Sequence, residues 1–329
     1  MSHRFLVSIV FALFATASLA AQAGQTRKWT VPRTGDGQPD LQGFWTNSTY
    51  TPLERPKNVT KEFYTKEEAA ELEKRAAAEE TEQTVPGTIA DVHYDFTQFG
   101  LDRNQSALAS TLRTSMIVDP PDGRLPPLTA KGQKRAAERA ERAKRVGRWD
   151  SAQSNDLDDR CLIFAGAGPP MLPQGYNSNY HIVQIPGYVM ILFEQAHDIR
   201  VIPLDGRPHL PQDIRQWTGD SRGHWEGDTL VIETTNFNGK NPLSWSSEDM
   251  RVTERFTLVD AETIVYEFTI DDQSTWTRSW SAELRMRRTI GPLFEHACHE
   301  GNYGLYNTLV GARLEEKKAA EEAAKKGVQ

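Results

Sequence analysis

Arg251-Val-Thr-Glu-Arg-Phe-Thr-Leu-Val259, Asp260-Ala-Glu262 and Thr263-Ile-Val-Tyr-Glu-Phe-Thr-Ile-Asp271 follow one another without a break. In each flank every second residue is apolar over eight or nine positions, Glu254 excepted, and the residues that join the flanks are short and polar. That is the period of a strand with one buried face, and the joined pair reads as an antiparallel hairpin. Outward from it the pattern recurs. His224 to Glu226 and Thr229 to Phe237 flank Gly227-Asp228, while Tyr180 to Ile185 and Tyr188 to Glu194 flank Pro186-Gly187. Asp198 to Leu204 runs into Asp205-Gly206, and Thr275 to Arg287 is a last long strand. Eight strands with tight connections predict a mainly β protein. An antiparallel, lipocalin-like barrel or curled sheet is expected, with a β-sandwich as the main competitor.

The remainder frames this core. His3 and Arg4, an apolar run from Phe5 to Ala20 and Ala21-Gln-Ala23 read as a signal peptide over residues 1–23, which predicts a periplasmic or secreted protein. The run is too short to span a bilayer, so no transmembrane segment is expected after its removal. Residues 24–160 form an N-terminal segment. It contains a first strand around Gly43-Phe-Trp45, an irregular aromatic stretch from Val85 to Asp102, a short strand at Thr114 to Val118, and two charged helices over Lys61 to Glu82 and Lys131 to Arg148. The β domain occupies 161–312, and 313–329 is an exposed charged tail. A net charge of −7, with the basic residues interleaved among glutamates, excludes a nucleic-acid partner.

The chain has two cysteines, Cys161 and Cys298. In an exported protein an even count outside any CxxC pair predicts one structural disulfide, and closing so long a loop contributes on the order of 4–5 kcal/mol.

Strand alternation also selects candidate site residues. Glu254 shares a face with Val252, Phe256 and Leu258; Arg278 with Trp276 and Trp280; Glu194 with Tyr188, Met190 and Leu192; Arg200 with Ile202 and Leu204. Two acids and two arginines are therefore expected to face inward. Buried charge needs a partner or a wet cavity, so these four either tie the barrel together as salt bridges or form the polar end of a pocket. In the second case a desolvated carboxylate serves as base and an arginine holds an oxyanion. Tyr94, Tyr180, Trp217, Trp276 and Trp280 are the expected lining for a small aromatic substrate. His296-Ala-Cys298-His299 has no recognised metal spacing, and His181 reads as a core histidine, so neither metal nor other cofactor is expected.

Asp36-Gly-Gln-Pro-Asp-Leu-Gln-Gly-Phe-Trp45, Thr114-Ser-Met-Ile-Val-Asp-Pro-Pro-Asp-Gly-Arg124, Asp205-Gly-Arg-Pro-His209, His224-Trp-Glu-Gly-Asp-Thr-Leu-Val-Ile-Glu-Thr234 and Arg251-Val-Thr-Glu-Arg-Phe256 together resemble a widespread group of secreted bacterial proteins. Where that group has Pro-His-Ser ahead of the last motif, this chain has Ser244-Trp-Ser-Ser-Glu-Asp249. More narrowly, the chain is similar to exported γ-formaldehyde lyases of aromatic-degrading bacteria, which act on lignin-derived phenylcoumarans. That resemblance implies a cofactor-independent lyase. The alternative is a lipocalin-like periplasmic binding protein for an apolar small molecule.

Overall fold

The computed structural model describes residues 29–80, 109, 111–147, 149–174, 177–195, 198–240, 243 and 246–326. The expected signal peptide and the stretch holding Tyr94 lie outside the described residues. Ten strands form one antiparallel sheet: β1 (Gly43–Thr46), β2 (Ile117–Asp119), β3 (Asn179–Ile185), β4 (Tyr188–Phe193), β5 (Ile199–Pro203), β6 (Asp220–Glu226), β7 (Thr229–Thr235), β8 (Arg251–Asp260), β9 (Thr263–Asp271) and β10 (Trp280–Arg288). Their order is β5-β4-β3-β1-β10-β9-β8-β7-β6, with β2 also on β10. A single continuous sheet excludes the two-sheet sandwich.

The sheet curls until its two end strands, β5 and β6, lie side by side without a ladder between them. The barrel is closed except for this seam. Gly223 on β6 shows how tight the approach is, because a Cβ there would fall 2.7 Å from Leu204 Cδ2 and 2.9 Å from Ile202 Cγ2. A side chain at that position would wedge the seam open.

Inward positions follow the period of two. β8 buries Val252, Glu254, Phe256 and Leu258; β9 buries Ile264, Tyr266, Phe268 and Ile270; β10 buries Trp280, Ala282, Leu284 and Met286. Register brings Glu254 opposite Phe268 and Phe256 opposite Tyr266. The N-terminal segment is part of the same architecture, since β1 sits between β3 and β10.

Helices α1 (Lys66–Glu80), α2 (Ala130–Arg145), α3 (Cys298–Gly301) and α4 (Tyr303–Lys326) complete the described secondary structure apart from short 3₁₀ turns. Thr129 caps α2 by accepting from the Gly132 amide at 3.1 Å, and its hydroxyl donates to the Ser274 carbonyl at 2.8 Å, which docks the helix on the turn ahead of β10. The C-terminal helix begins at Tyr303, ten residues before the expected charged tail, and none of its residues is fully buried. Among the described residues, no helix is long and apolar enough to cross a membrane. Cys161 and Cys298 are bonded, as the even cysteine count predicts.

Candidate active site

A line of buried polar groups crosses the barrel interior. At its centre the Arg200 guanidinium from β5 grips the Glu254 carboxylate from β8 with both ends, Nη1 to Oε1 at 3.0 Å and Nη2 to Oε2 at 2.5 Å. Glu254 is fully buried and Arg200 nearly so, at 0% and 5% exposure. A charge pair so deep persists only if its remaining polar atoms are also satisfied. The Tyr266 hydroxyl on β9 donates to Glu254 Oε1 at 2.8 Å. Arg200 Nη2 reaches Ser221 Oγ on β6 at 3.4 Å, and Ser221 Oγ pairs with Thr234 Oγ1 on β7 at 2.8 Å.

The line continues on the other side of Tyr266. Its oxygen accepts from the Met171 amide at 2.9 Å, the Met171 carbonyl accepts from Asn47 Nδ2 at 3.0 Å, and the same Nδ2 reaches the Tyr180 hydroxyl at 3.1 Å. Tyr180 in turn donates to the Gly166 carbonyl at 3.1 Å. Arg200 is thus tied to strands on the far side of the seam, where no backbone ladder exists. Its bonds to Ser221 on β6 and Glu254 on β8 reach across the interior from β5 to the strands beyond the unladdered seam.

Electrostatics follow from this burial. Desolvation pulls on Arg200, but the Glu254 carboxylate against it more than compensates and holds the guanidinium above its ordinary proton affinity. Burial, reinforced by the Glu254 charge, pushes the Tyr266 hydroxyl well above the usual phenol range, so it stays protonated and acts as a donor. Burial also raises Tyr180. Around the charges stands a wall of rings in sequence: Phe256 to Tyr266 at 4.8 Å, Tyr266 to Phe268 at 5.8 Å, Phe268 to Trp280 at 5.7 Å and Trp280 to Trp276 at 5.7 Å. Arg200 Nε, Trp280 Nε1 and Asn47 Oδ1 are buried there with no partner among the described residues.

Of the four charges expected inside, Arg200 and Glu254 meet and the other two do not. Arg278 is a correction. Its side chain is 52% exposed and pairs with Asp119 at 2.5 Å on the surface. β10 starts at Trp280, and the chain bends through 277–279, so the alternation that links Trp276 to Trp280 does not pass through Arg278. Glu194 is a second correction. On β4 the inward residues are Val189, Ile191 and Phe193, which places Tyr188, Met190, Leu192 and Glu194 on the outer face. Glu194 is nevertheless buried, because the segment after β10 covers it: its oxygens accept from Asn179 Nδ2 at 2.6 Å and the Phe294 amide at 2.9 Å. Trp217 is the third, lying in the loop between β5 and β6 with 38% of its surface exposed. Trp276, Trp280 and Tyr180 do lie in the interior.

Sequence reasoning missed Tyr266, Ser221, Thr234, Asn47 and the Met171 amide. The first three obey the same alternation, and a scan for inward hydroxyls as well as charges finds them. The last two come from a loop and a strand end, where no period applies. The Asp205-Gly-Arg-Pro-His209 motif serves the loop that crosses the seam. Asp205 clasps Arg207, while His209 Nδ1 pairs with Asp220 at 3.0 Å. Burial works against the Asp220 carboxylate, but bonds from the Leu210 amide, His209 and Arg222 hold it below the ordinary range. The expected core histidine, His181, is half-buried on the outer face, stacked on Phe44 at 4.3 Å.

Cations have one candidate cluster among the described residues, Asp156, Asp158 and Asp159, whose oxygens lie within 4.8 Å of one another. It is on the surface. His296 of the histidine–cysteine segment packs edge-on against Phe164 instead, with 5.4 Å between centroids. Compared with known proteins, the chain matches no family model and no curated sequence.

Proposed function

We propose that this is an exported, cofactor-independent acid–base enzyme of lyase type that acts on a small aromatic substrate. One observation carries the reading: a carboxylate, a guanidinium and a protonated phenol converge inside a barrel otherwise walled by aromatic rings, and Arg200 Nε and Trp280 Nε1 there still have hydrogen bonds to give. Glu254 is the base, Tyr266 the group that delivers or receives its proton, and Arg200 the cation that steadies a developing phenolate or alkoxide. The resemblance to γ-formaldehyde lyases supplies the substrate class. In a phenylcoumaran, loss of the phenolic proton opens the furan ring to a quinone methide with the aryl ether oxygen as leaving group. A base then takes the γ-hydroxyl proton, the Cβ–Cγ bond breaks, formaldehyde departs and the electron pair restores the phenolate, leaving a stilbene. Atoms and electrons balance without an external oxidant.

The test is to incubate the mature protein with a panel of lignin-like dimers and follow formaldehyde and stilbene together. Glu254→Gln is expected to lower turnover by about two orders of magnitude or more while binding persists. Unchanged turnover in a folded Gln variant removes Glu254 from the mechanism.

A second reading, a lipocalin-like binding protein, is favoured by one feature. Arg200 holds both oxygens of Glu254 and Tyr266 bonds to one of them, so most of the carboxylate's acceptor sites are already taken by the protein, as in a structural ion pair. Tight binding of a panel member with no product from any member would select that reading.

A further inference from the structure

The disulfide and the buried centre are linked through a single stretch of chain. Cys161 is bonded to Cys298, and ten residues later the Met171 amide donates to Tyr266 at 2.9 Å. Between them Ile163, Phe164, Ala167 and Met171 are buried as a plug in the barrel. Gly166 lies flat against Phe193, where a Cβ would fall 2.4 Å from the ring edge, and its carbonyl accepts a hydrogen bond from the Tyr180 hydroxyl. At the disulfide end Asn302 Nδ2 donates to the Asp159 carbonyl at 2.9 Å, and His296 abuts Phe164. Cys161 itself sits at φ +54°, a left-handed conformation that residues with a Cβ avoid unless held.

The Met171 bond has a directional consequence. A phenol has one proton to give, and an amide donating to its oxygen from one side leaves that proton to point elsewhere. Here it points at Glu254 Oε1. We infer that the Cys161–Cys298 disulfide is a positioning element of the buried centre: it seats the 161–171 plug, whose Met171 amide orients the Tyr266 hydroxyl toward Glu254, so the centre is complete only in the oxidised protein. The effect on turnover rests on the acid–base reading above, whereas the seating of the plug does not.

Residue-resolved hydrogen exchange on the full mature chain, oxidised and after reduction with a phosphine, tests the seating directly. Reduction is expected to raise exchange at the Met171 amide about tenfold or more while the β8 and β9 amides change less than about twofold, the pattern of a local opening. Gly166→Ala, which keeps the disulfide but pushes the plug off Phe193, is expected to reproduce the Met171 effect. Met171 exchange unchanged on reduction would overturn the inference. So would a parallel rise at every amide, or global unfolding, because the bond would then be a general staple. If Met171 opens and the panel yields no product in either state, the seating holds and the enzyme reading fails.

Discussion

Two of the buried carboxylates, Glu254 and Asp272, are held by opposite means. Glu254, in the middle of a strand, is held by a full positive charge and one phenol. Asp272, in the turn between β9 and β10, is held by no cation among the described residues. Its oxygens accept six hydrogen bonds from the amides and hydroxyls of Ser247, Ser274 and Thr275. Burial acts to raise its pKa, yet the Thr275 hydroxyl and the two donors of Ser247 outweigh it and leave the carboxyl below its ordinary range. The contrast separates two functions of buried charge. A cage of neutral dipoles fixes a turn and has nothing left to offer a ligand. An ion pair across a seam can exchange partners, and its arginine retains an unused donor.

The largest effect is expected at the ion pair. Glu254→Leu strands Arg200 in the core and should cost about 3–5 kcal/mol, whereas adding Arg200→Met to the same chain should recover most of that loss. Denaturant unfolding of the two single variants and the double variant measures the coupling. A double variant no better than Glu254→Leu would mean that the two charges do not compensate one another.

The Asp272 cage should behave differently. Asp272→Asn keeps the shape but turns one acceptor oxygen into an NH2 donor that faces other donors, at a cost of about 2–3 kcal/mol near neutral pH, and no single second substitution should restore it. Because the folded pKa is depressed, the carboxylate stabilises the protein fully above the unfolded value of about 4, and this contribution fades as pH falls through the lower folded value. The gap between wild type and Asp272→Asn should therefore narrow on acidification below about pH 4. A gap that stays constant through that range would detach the cage from the charge.

The same two sites show what could be read from the sequence. Glu254 was legible because it interrupts an apolar alternation inside a long regular strand, and Arg200 was legible for the same reason on β5. The hairpins β3–β4, β6–β7 and β8–β9 carry comparable signals, so antiparallel pairing of neighbours follows from the period, but the choice of one curled sheet over a sandwich and the place of the short β1 between β3 and β10 do not. Asp272 gave no such signal. It lies where the period stops, and its partner Ser247 is twenty-five residues away in a loop. Glu194 and Arg278 failed for different reasons: β4 is apolar on both faces, so the sequence could not say which face turns inward and Glu194 went with the wrong one, whereas Arg278 lies before the first residue of β10. Alternation carried outside the ladder, as for Arg278, assigns a face that the backbone no longer enforces. The Met171 amide lay further still from any sequence rule, because a main-chain donor looks the same at every residue.

The smallest effect is expected at Arg278, the charge that alternation placed inside and the fold keeps outside. Its guanidinium pairs with Asp119 and also reaches the Ser279 carbonyl at 3.2 Å, with both charged side chains about half exposed. Water and salt screen such a pair, and holding two long side chains together offsets much of the attraction. Arg278→Ala should therefore cost less than about 1 kcal/mol, with the difference shrinking further in high salt. Any turnover or ligand binding at the barrel centre should be unchanged. Measured beside Glu254→Leu in the same denaturant series, the variant calibrates the contrast between buried and exposed pairing within one molecule. A loss as large as that of Glu254→Leu, or a loss of ligand binding without loss of stability, would return Arg278 to the interior and overturn the assignment of the 277–279 bend as the point where the strand pattern ends.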